Sequence, residues 1–179
     1  NGIETEYGVI PNSYSDEEAY PFLIFKNGNF AGAGDAWNTS KYDGVIANAI
    51  ALATDKNDVV TVVLRRDYNH IQTTTLNVYN QIVGTLNIDL CDHTITTAKE
   101  LIQFNHKNSN TPVNVNIYDG NITVTARRFA SLQNQSATVR QDFKLTFKNV
   151  TIDYRSSWSF IEGVDNTSGL CAADIIFDN

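Results

Sequence analysis

The sequence predicts an all-β chain, a three-sided parallel solenoid of about four coils preceded by a hairpin and a capping α-helix. Three observations carry that expectation. From Val59 onward the chain is a succession of short β-branched runs broken by Asn, Asp and Gly, with no second convincing helix. Large apolar residues recur at Leu64, Leu90, Ile117, Phe147 and Phe177, in steps of 26, 27, 30 and 30 residues, and again two places earlier at Val62, Ile88, Val115, Leu145 and Ile175. Two residues beyond each anchor stand Arg66, Asp92, Asp119, Asn149 and Asn179.

Residues 1–20 hold Gly, Pro, Ser and the acidic run Asp16, Glu17 and Glu18 with little periodicity, which reads as an irregular lead-in or linker. Residues 21–58 read as an N-terminal cap. Phe22 to Phe25 is an apolar run, and Asn27-Gly28 before Phe30 is the strongest local signal for a tight hairpin. The Gly32 and Gly34 stretch reads as loop. Ser40-Lys41-Tyr42-Asp43 has the form of a capping box, and Val45, Ile46, Ala49, Ile50, Leu52 and Ala53 follow at helical spacing, predicting a helix that ends near Asp55 to Asp58.

Residues 59–179 carry the repeat. About half of residues in an average domain are apolar, so ten large apolar residues in ten aligned positions arise by chance on the order of once in a thousand. The intervening column Val63, Asp89, Asn116, Thr146 and Ile176 is mostly polar, as alternation on a half-buried strand requires. Asn and Asp at one recurring corner tolerate left-handed backbone and hydrogen-bond along a stack. Ile95, Ile122 and Ile152 align as a second strand, and Leu101 to Phe104, Phe129 to Leu132 and Trp158 to Ile161 as a third. By this alignment the sequence stops one strand into a fifth coil, so further coils or a partner are expected over that end.

The segment from Val59 to Asn179, about two thirds of the chain, resembles the right-handed parallel β-helix of the pectin-lyase-like superfamily, and the helix before it resembles that family's N-terminal cap. The resemblance rests on the repeat and the Asn/Asp corner, not on catalytic motifs. It implies an outer face able to meet polysaccharide. Lyases of the family use a calcium held by clustered carboxylates together with a basic residue, and its hydrolases use paired carboxylates. No adjacent Asp-Asp pair occurs here, and Asp165 to Gly169 reads as a plain turn, so no catalytic residue is carried over.

The candidate ligand-binding residues are the corner group Arg66, Asp92, His93 and Asp119, the outward Tyr118, and the basic doublets Arg65-Arg66 and Arg127-Arg128, suited to gripping a carboxylate. Calcium wants six to eight oxygens, which Asp92, Asp119 and Asn149 do not supply by themselves, so a structural corner ladder is the preferred reading of that column. No cofactor is expected, with Ca2+ entering only under a lyase reading. Tyr68, Tyr79, Tyr118, Tyr154 and Trp37 could offer flat faces to sugar rings, whereas Trp158 falls in the third core run. His70, His93 and His106 sit at different repeat offsets and form no metal column. Asn-x-Ser/Thr sequons at Asn38, Asn121, Asn134, Asn149 and Asn166 look compositional.

A formal charge of −7 with a pI near 4.8 opposes nucleic-acid binding, which rests on Lys and Arg neutralising phosphates. No stretch approaches the roughly 20 apolar residues of a membrane span. Cys91 and Cys171 are too few for a disulfide framework; a bridge between the two is one reading, and two free thiols are the favoured one. A chain without Met that opens at Asn1 is expected to be a mature or excised segment. Low Cys with abundant Asn, Thr and Tyr suggests an extracellular or cell-surface bacterial protein. The expected function is therefore a non-catalytic module, for carbohydrate binding or structural presentation beside other domains of a parent protein. The alternative is a lyase or hydrolase acting on acidic polysaccharide such as pectin, and a trimer of the phage or adhesin kind is disfavoured by the polar outward column.

Overall fold

The computed structural model describes residues 2–37, 44–71, 76–78, 84–106, 113–134, 141–163 and 171–179. The described chain is mostly β, with one α-helix. Gly2–Thr5 (β1) and Gly8–Pro11 (β2) pair antiparallel, followed by a 3-10 turn at Asn12–Tyr14. The lead-in is thus more ordered than its composition suggests. Its Ile10 is buried with Leu23, Phe25 and Val63, and the Arg65 guanidinium donates to the carbonyls of Tyr14 and Ser15 at 2.8 and 2.9 Å.

Phe22–Lys26 (β3) and Asn29–Gly34 (β4) form the expected hairpin. Asn27 and Gly28 both have positive φ, 50° and 77°, the conformation that matches the right-handed twist of the flanking strands. The stretch from Gly32 to Gly34 is strand, not loop, because its backbone pairs with Phe22 to Ile24. The helix α1 spans Val45–Leu52 and buries Val45, Ile46, Ala49 and Ile50. Its first N–H groups donate to the carbonyls of Ala36 and Trp37; the capping box at Ser40 to Asp43 lies outside the described residues. The helix stops at Leu52, short of the expected end. There the Asp58 carboxylate accepts the Thr54 and Asp55 N–H groups at 3.0 and 2.9 Å, satisfying them outside the helix. Lys26 at 2.9 Å and Asn27 at 3.1 Å also bind Asp58, so one carboxylate ties the helix exit to the hairpin turn. Lys26 above all, with these N–H donors, holds its pKa well below the usual carboxylate range.

The remaining strands are Val59–Leu64 (β5), Tyr68–His70 (β6), Leu76–Val78 (β7), Thr85–Asp89 (β8), Thr94–Thr97 (β9), Ile102–His106 (β10), Val113–Val124 (β11), Ala130–Asn134 (β12), Gln141–Tyr154 (β13), Ile161–Gly163 (β14) and Cys171–Asp178 (β15). They pair in parallel with the strand one repeat away. One sheet runs β15-β13-β11-β8-β5 and is closed at its N-terminal edge by the antiparallel β3 and β4. A second ladder runs β6-β9 and on through the later halves of β11 and β13. A third runs β7-β10-β12-β14.

The register differs from the sequence alignment in one respect. Val62 pairs with Ile88 as expected, but Ile88 pairs with Ile117 and Leu86 with Val115, a slip of two residues between the second and third repeats. The third, fourth and fifth repeats align as predicted, Ile117 with Phe147 and Phe147 with Phe177. The cause is a longer corner after Ile88, where Cys91 and Asp92 both adopt positive φ. Past that corner Ile95, Ile122 and Ile152 align as expected. Because the slip is even, no side chain changes face: Leu64, Leu90, Val62, Ile88, Val115, Ile117, Leu145 and Phe147 are all buried in one cluster with Trp37 and the helix. In the outward column Val63 and Asp89 are buried under the lead-in, Asp89 keeping the expected polarity, and Ile176 is apolar and exposed.

Candidate functional site

Alternation along the second ladder sends every other side chain outward, and all of them are polar. Asn69, Thr96, Thr123 and Asp153 form one registered column, and Thr94, Asn121 and Thr151 another, with Asp67 leading in through its carboxylate, which accepts the Thr94 N–H at 2.8 Å. Each of these eight residues is exposed or half-buried, while their inward neighbours Ile95, Thr97, Ile122 and Val124 are buried. Short hydroxyl, amide and carboxylate groups on parallel strands stack at intervals of about 4.8 Å. Asp67, Tyr68, Asn69, Thr94 and Thr96 line a polar cleft of about 240 Å³ at one end of the face.

The Asn/Asp corner bounds this face on one side. Asp92, Asp119 and Asn149 have φ of 64°, 54° and 52°, as the corner column requires, whereas Arg66 does not share that backbone. The Asp92 N–H donates to the Asp119 carbonyl at 2.8 Å, and the Asn149 amide donates to the Asp119 carboxylate at 3.0 Å. His93 sits beside them, its Nδ1 3.8 Å from the Asp67 carboxylate. Among the described residues no group of three or more His, Cys, Asp or Glu is placed to hold a metal ion.

The opposite rim is basic and aromatic. Arg127, at φ 62°, and Arg128 lay their guanidinium groups 5.4 and 5.2 Å from the Trp158 ring centre. Trp158 is 46% exposed, not part of the core run; Phe160 and Ile161 pack against the core in its stead. Arg128 is mostly buried between Glu100, at 2.9 Å, and Glu162, while Arg155 pairs with Asp153.

The sequence-predicted residues therefore divide. Asp92, His93 and Asp119 gather at one rim and Arg127 and Arg128 at the other. Arg65 and Arg66 do not join them: Arg65 binds Tyr14, Ser15, Tyr20 and Glu17, and Arg66 binds Glu17 and Glu18, so both guanidiniums hold the lead-in. Tyr118 points outward as alternation demands, yet its hydroxyl lies 3.3 Å from that of Tyr7, under the first hairpin. Burial there raises its pKa.

Among the other aromatics, Trp37 is buried and donates from Nε1 to the Leu101 carbonyl at 3.1 Å, while Tyr68 and Tyr154 pack against the core. Tyr79 and Asp165 to Gly169 lie outside the described residues. Cys91 is a free thiol. The polar columns were missed as a unit, although Thr-Ile-Thr, Asn-Ile-Thr and Thr-Ile-Asp around the aligned isoleucines display them. No described helix is long and apolar enough to cross a membrane. Comparison of the chain with protein-family models, curated proteins and solved structures returns no match.

Proposed function

We propose that residues 59–179 are coils of a right-handed parallel β-helix like that of the pectin-lyase-like superfamily, and that the chain is a non-catalytic carbohydrate-binding module of an extracellular or cell-surface protein. The parallel pairing of each strand with its counterpart one repeat on supports the solenoid. One observation carries the binding reading: eight outward residues over four repeats of one ladder are all short polar groups, Asp67, Asn69, Thr94, Thr96, Asn121, Thr123, Thr151 and Asp153. A rigid sheet that offers hydroxyls and amides at regular spacing meets the hydroxyls of an extended glycan without first ordering a loop, and so avoids that entropic cost. The Arg127 guanidinium beside Trp158 adds a charge for a carboxylate-bearing sugar at the basic rim.

The test is affinity electrophoresis against polygalacturonate, alginate and neutral glucans. Retardation in at least one acidic gel is expected. A Thr96→Val/Thr123→Val double variant keeps the β-branched shape, removes two hydroxyls and should weaken binding roughly tenfold. No retardation in any gel, or an unaffected double variant, overturns the binding reading. Absorbance at 235 nm should stay flat in the same mixtures with and without calcium. A calcium-dependent rise abolished by Asp92→Ala or Asp119→Ala would replace the module with a uronide lyase.

A further inference from the structure

Away from the polar face, the hairpin of β1 and β2 roofs a cleft of about 220 Å³ on the outside of β3 and β5. Leu23, Phe25 and Val63, all buried, give it an apolar floor. The Tyr7 ring forms a wall, its centre 5.8 Å from that of Phe25. Its hydroxyl donates to the carboxylate of Asp89, which is only 4% exposed and also accepts the Cys91 N–H at 2.8 Å. Behind one aromatic wall therefore sits a buried negative charge, and the exposed Glu6 lines the same cleft.

The charges around the cleft do not cancel. Arg65 is its one strongly basic lining residue, and the guanidinium is committed to Tyr14, Ser15, Tyr20 and Glu17. The Cys91 thiol registers the local field: burial first, then Asp89, Glu6 and Asp92, push its pKa up to about 12, so it lines the cleft as a neutral group. An apolar floor, an electron-rich phenol hydrogen-bonded to a carboxylate, and a second carboxylate at the wall suit a cation carried on an apolar body. An anion would meet Glu6 at the wall and the field of Asp89 behind Tyr7, and an uncharged apolar group would draw on neither.

We infer that the cleft beneath the first hairpin, formed by Tyr7, Phe25, Val63 and Glu6, is a binding site for a small organic cation of the alkylammonium class. It shares only His93 with the rim of the polar face, and its occupancy stands or falls without the glycan reading. Amide-resolved NMR on the whole 179-residue chain tests it, with choline and, separately, choline's uncharged carbon isostere dimethylbutanol as probes. Choline should move the Tyr7, Cys91 and His93 amide signals and bind roughly tenfold more tightly than the isostere. Glu6→Gln, at an exposed position, should weaken choline several-fold and leave dimethylbutanol unchanged, while Tyr7→Leu should abolish both. Equal affinity for the two probes, shifts confined to other residues, or an unchanged choline affinity in Glu6→Gln would each overturn the assignment.

Discussion

At the scale of single residues, burial decides which positions matter. Ile117 is almost fully buried in the main cluster, so Ile117→Ala leaves a cavity and should cost about 2 to 5 kcal/mol in chemical denaturation. A loss below half a kilocalorie would contradict its inward register. Asn149 holds a left-handed backbone and donates to Asp119. Asn149→Ala should therefore cost about 1 kcal/mol, and Asn149→Gly less, since glycine accepts that φ without a Cβ penalty. An identical loss in both variants would assign the corner's stability to the side-chain bond alone.

His70 is 1% exposed with neither ring nitrogen hydrogen-bonded, and burial pushes its pKa down to about 4. The unfolded chain takes up that proton first as pH falls. Stability is full above the ordinary histidine value and declines from about pH 6.5 to 4, by up to roughly 3 kcal/mol. His70→Leu should remove that part of the difference between denaturation at pH 7.5 and 4.5. The Asp58 contribution, with its pKa lowered, is lost only at more acidic pH and does not overlap the window.

At the scale of elements, the lead-in and one corner show how side chains set backbone. Arg65 reaches from the end of β5 to the carbonyls after β2, and Arg66 lies alongside it on Glu17 and Glu18. Arg65→Ala should leave the core intact while exposing residues 12–20 to proteases. Limited proteolysis with no faster cleavage there would show that Ile10 and Tyr7 suffice to hold the segment. Gly120 follows the Asp119 corner where the longer Cys91-Asp92 turn presses against it, and an added Cβ would lie 2.4 Å from the Leu90 Cβ and 2.7 Å from the His93 carbonyl. Gly120→Ala should therefore lower the melting temperature markedly by forcing neighbouring strands apart. An unchanged melting curve would mean that the corner yields freely.

Across the whole molecule the two ends differ. One is covered by α1 and by the antiparallel β3 and β4. At the other, Phe177 stacks on Phe147 at 5.1 Å yet is 59% exposed, in the same column where Phe147, Ile117 and Ile88 are buried. Between them, the polar face lies outside the β6-β9 ladder and the hairpin-roofed cleft outside β3 and β5. Both use positions that alternation turned away from the core.

Much of this was legible beforehand. Alternation and the repeat of Ile, Leu, Val and Phe determine which side chains turn inward, and Asn27-Gly28 determines a tight turn, because these depend on local backbone sterics and on a period counted along the chain. The Asn/Asp corner was legible for the same reason, since left-handed φ is a local preference. Only the tertiary structure decided the length of each corner, and with it the two-residue slip at Cys91-Asp92. Only the fold likewise placed Arg65 and Arg66 on the lead-in, exposed Trp158, and brought Tyr7 over Asp89, 82 positions further along the chain. Those outcomes depend on which distant groups meet, and long charged or aromatic side chains are satisfied by whatever partner the packing brings within reach.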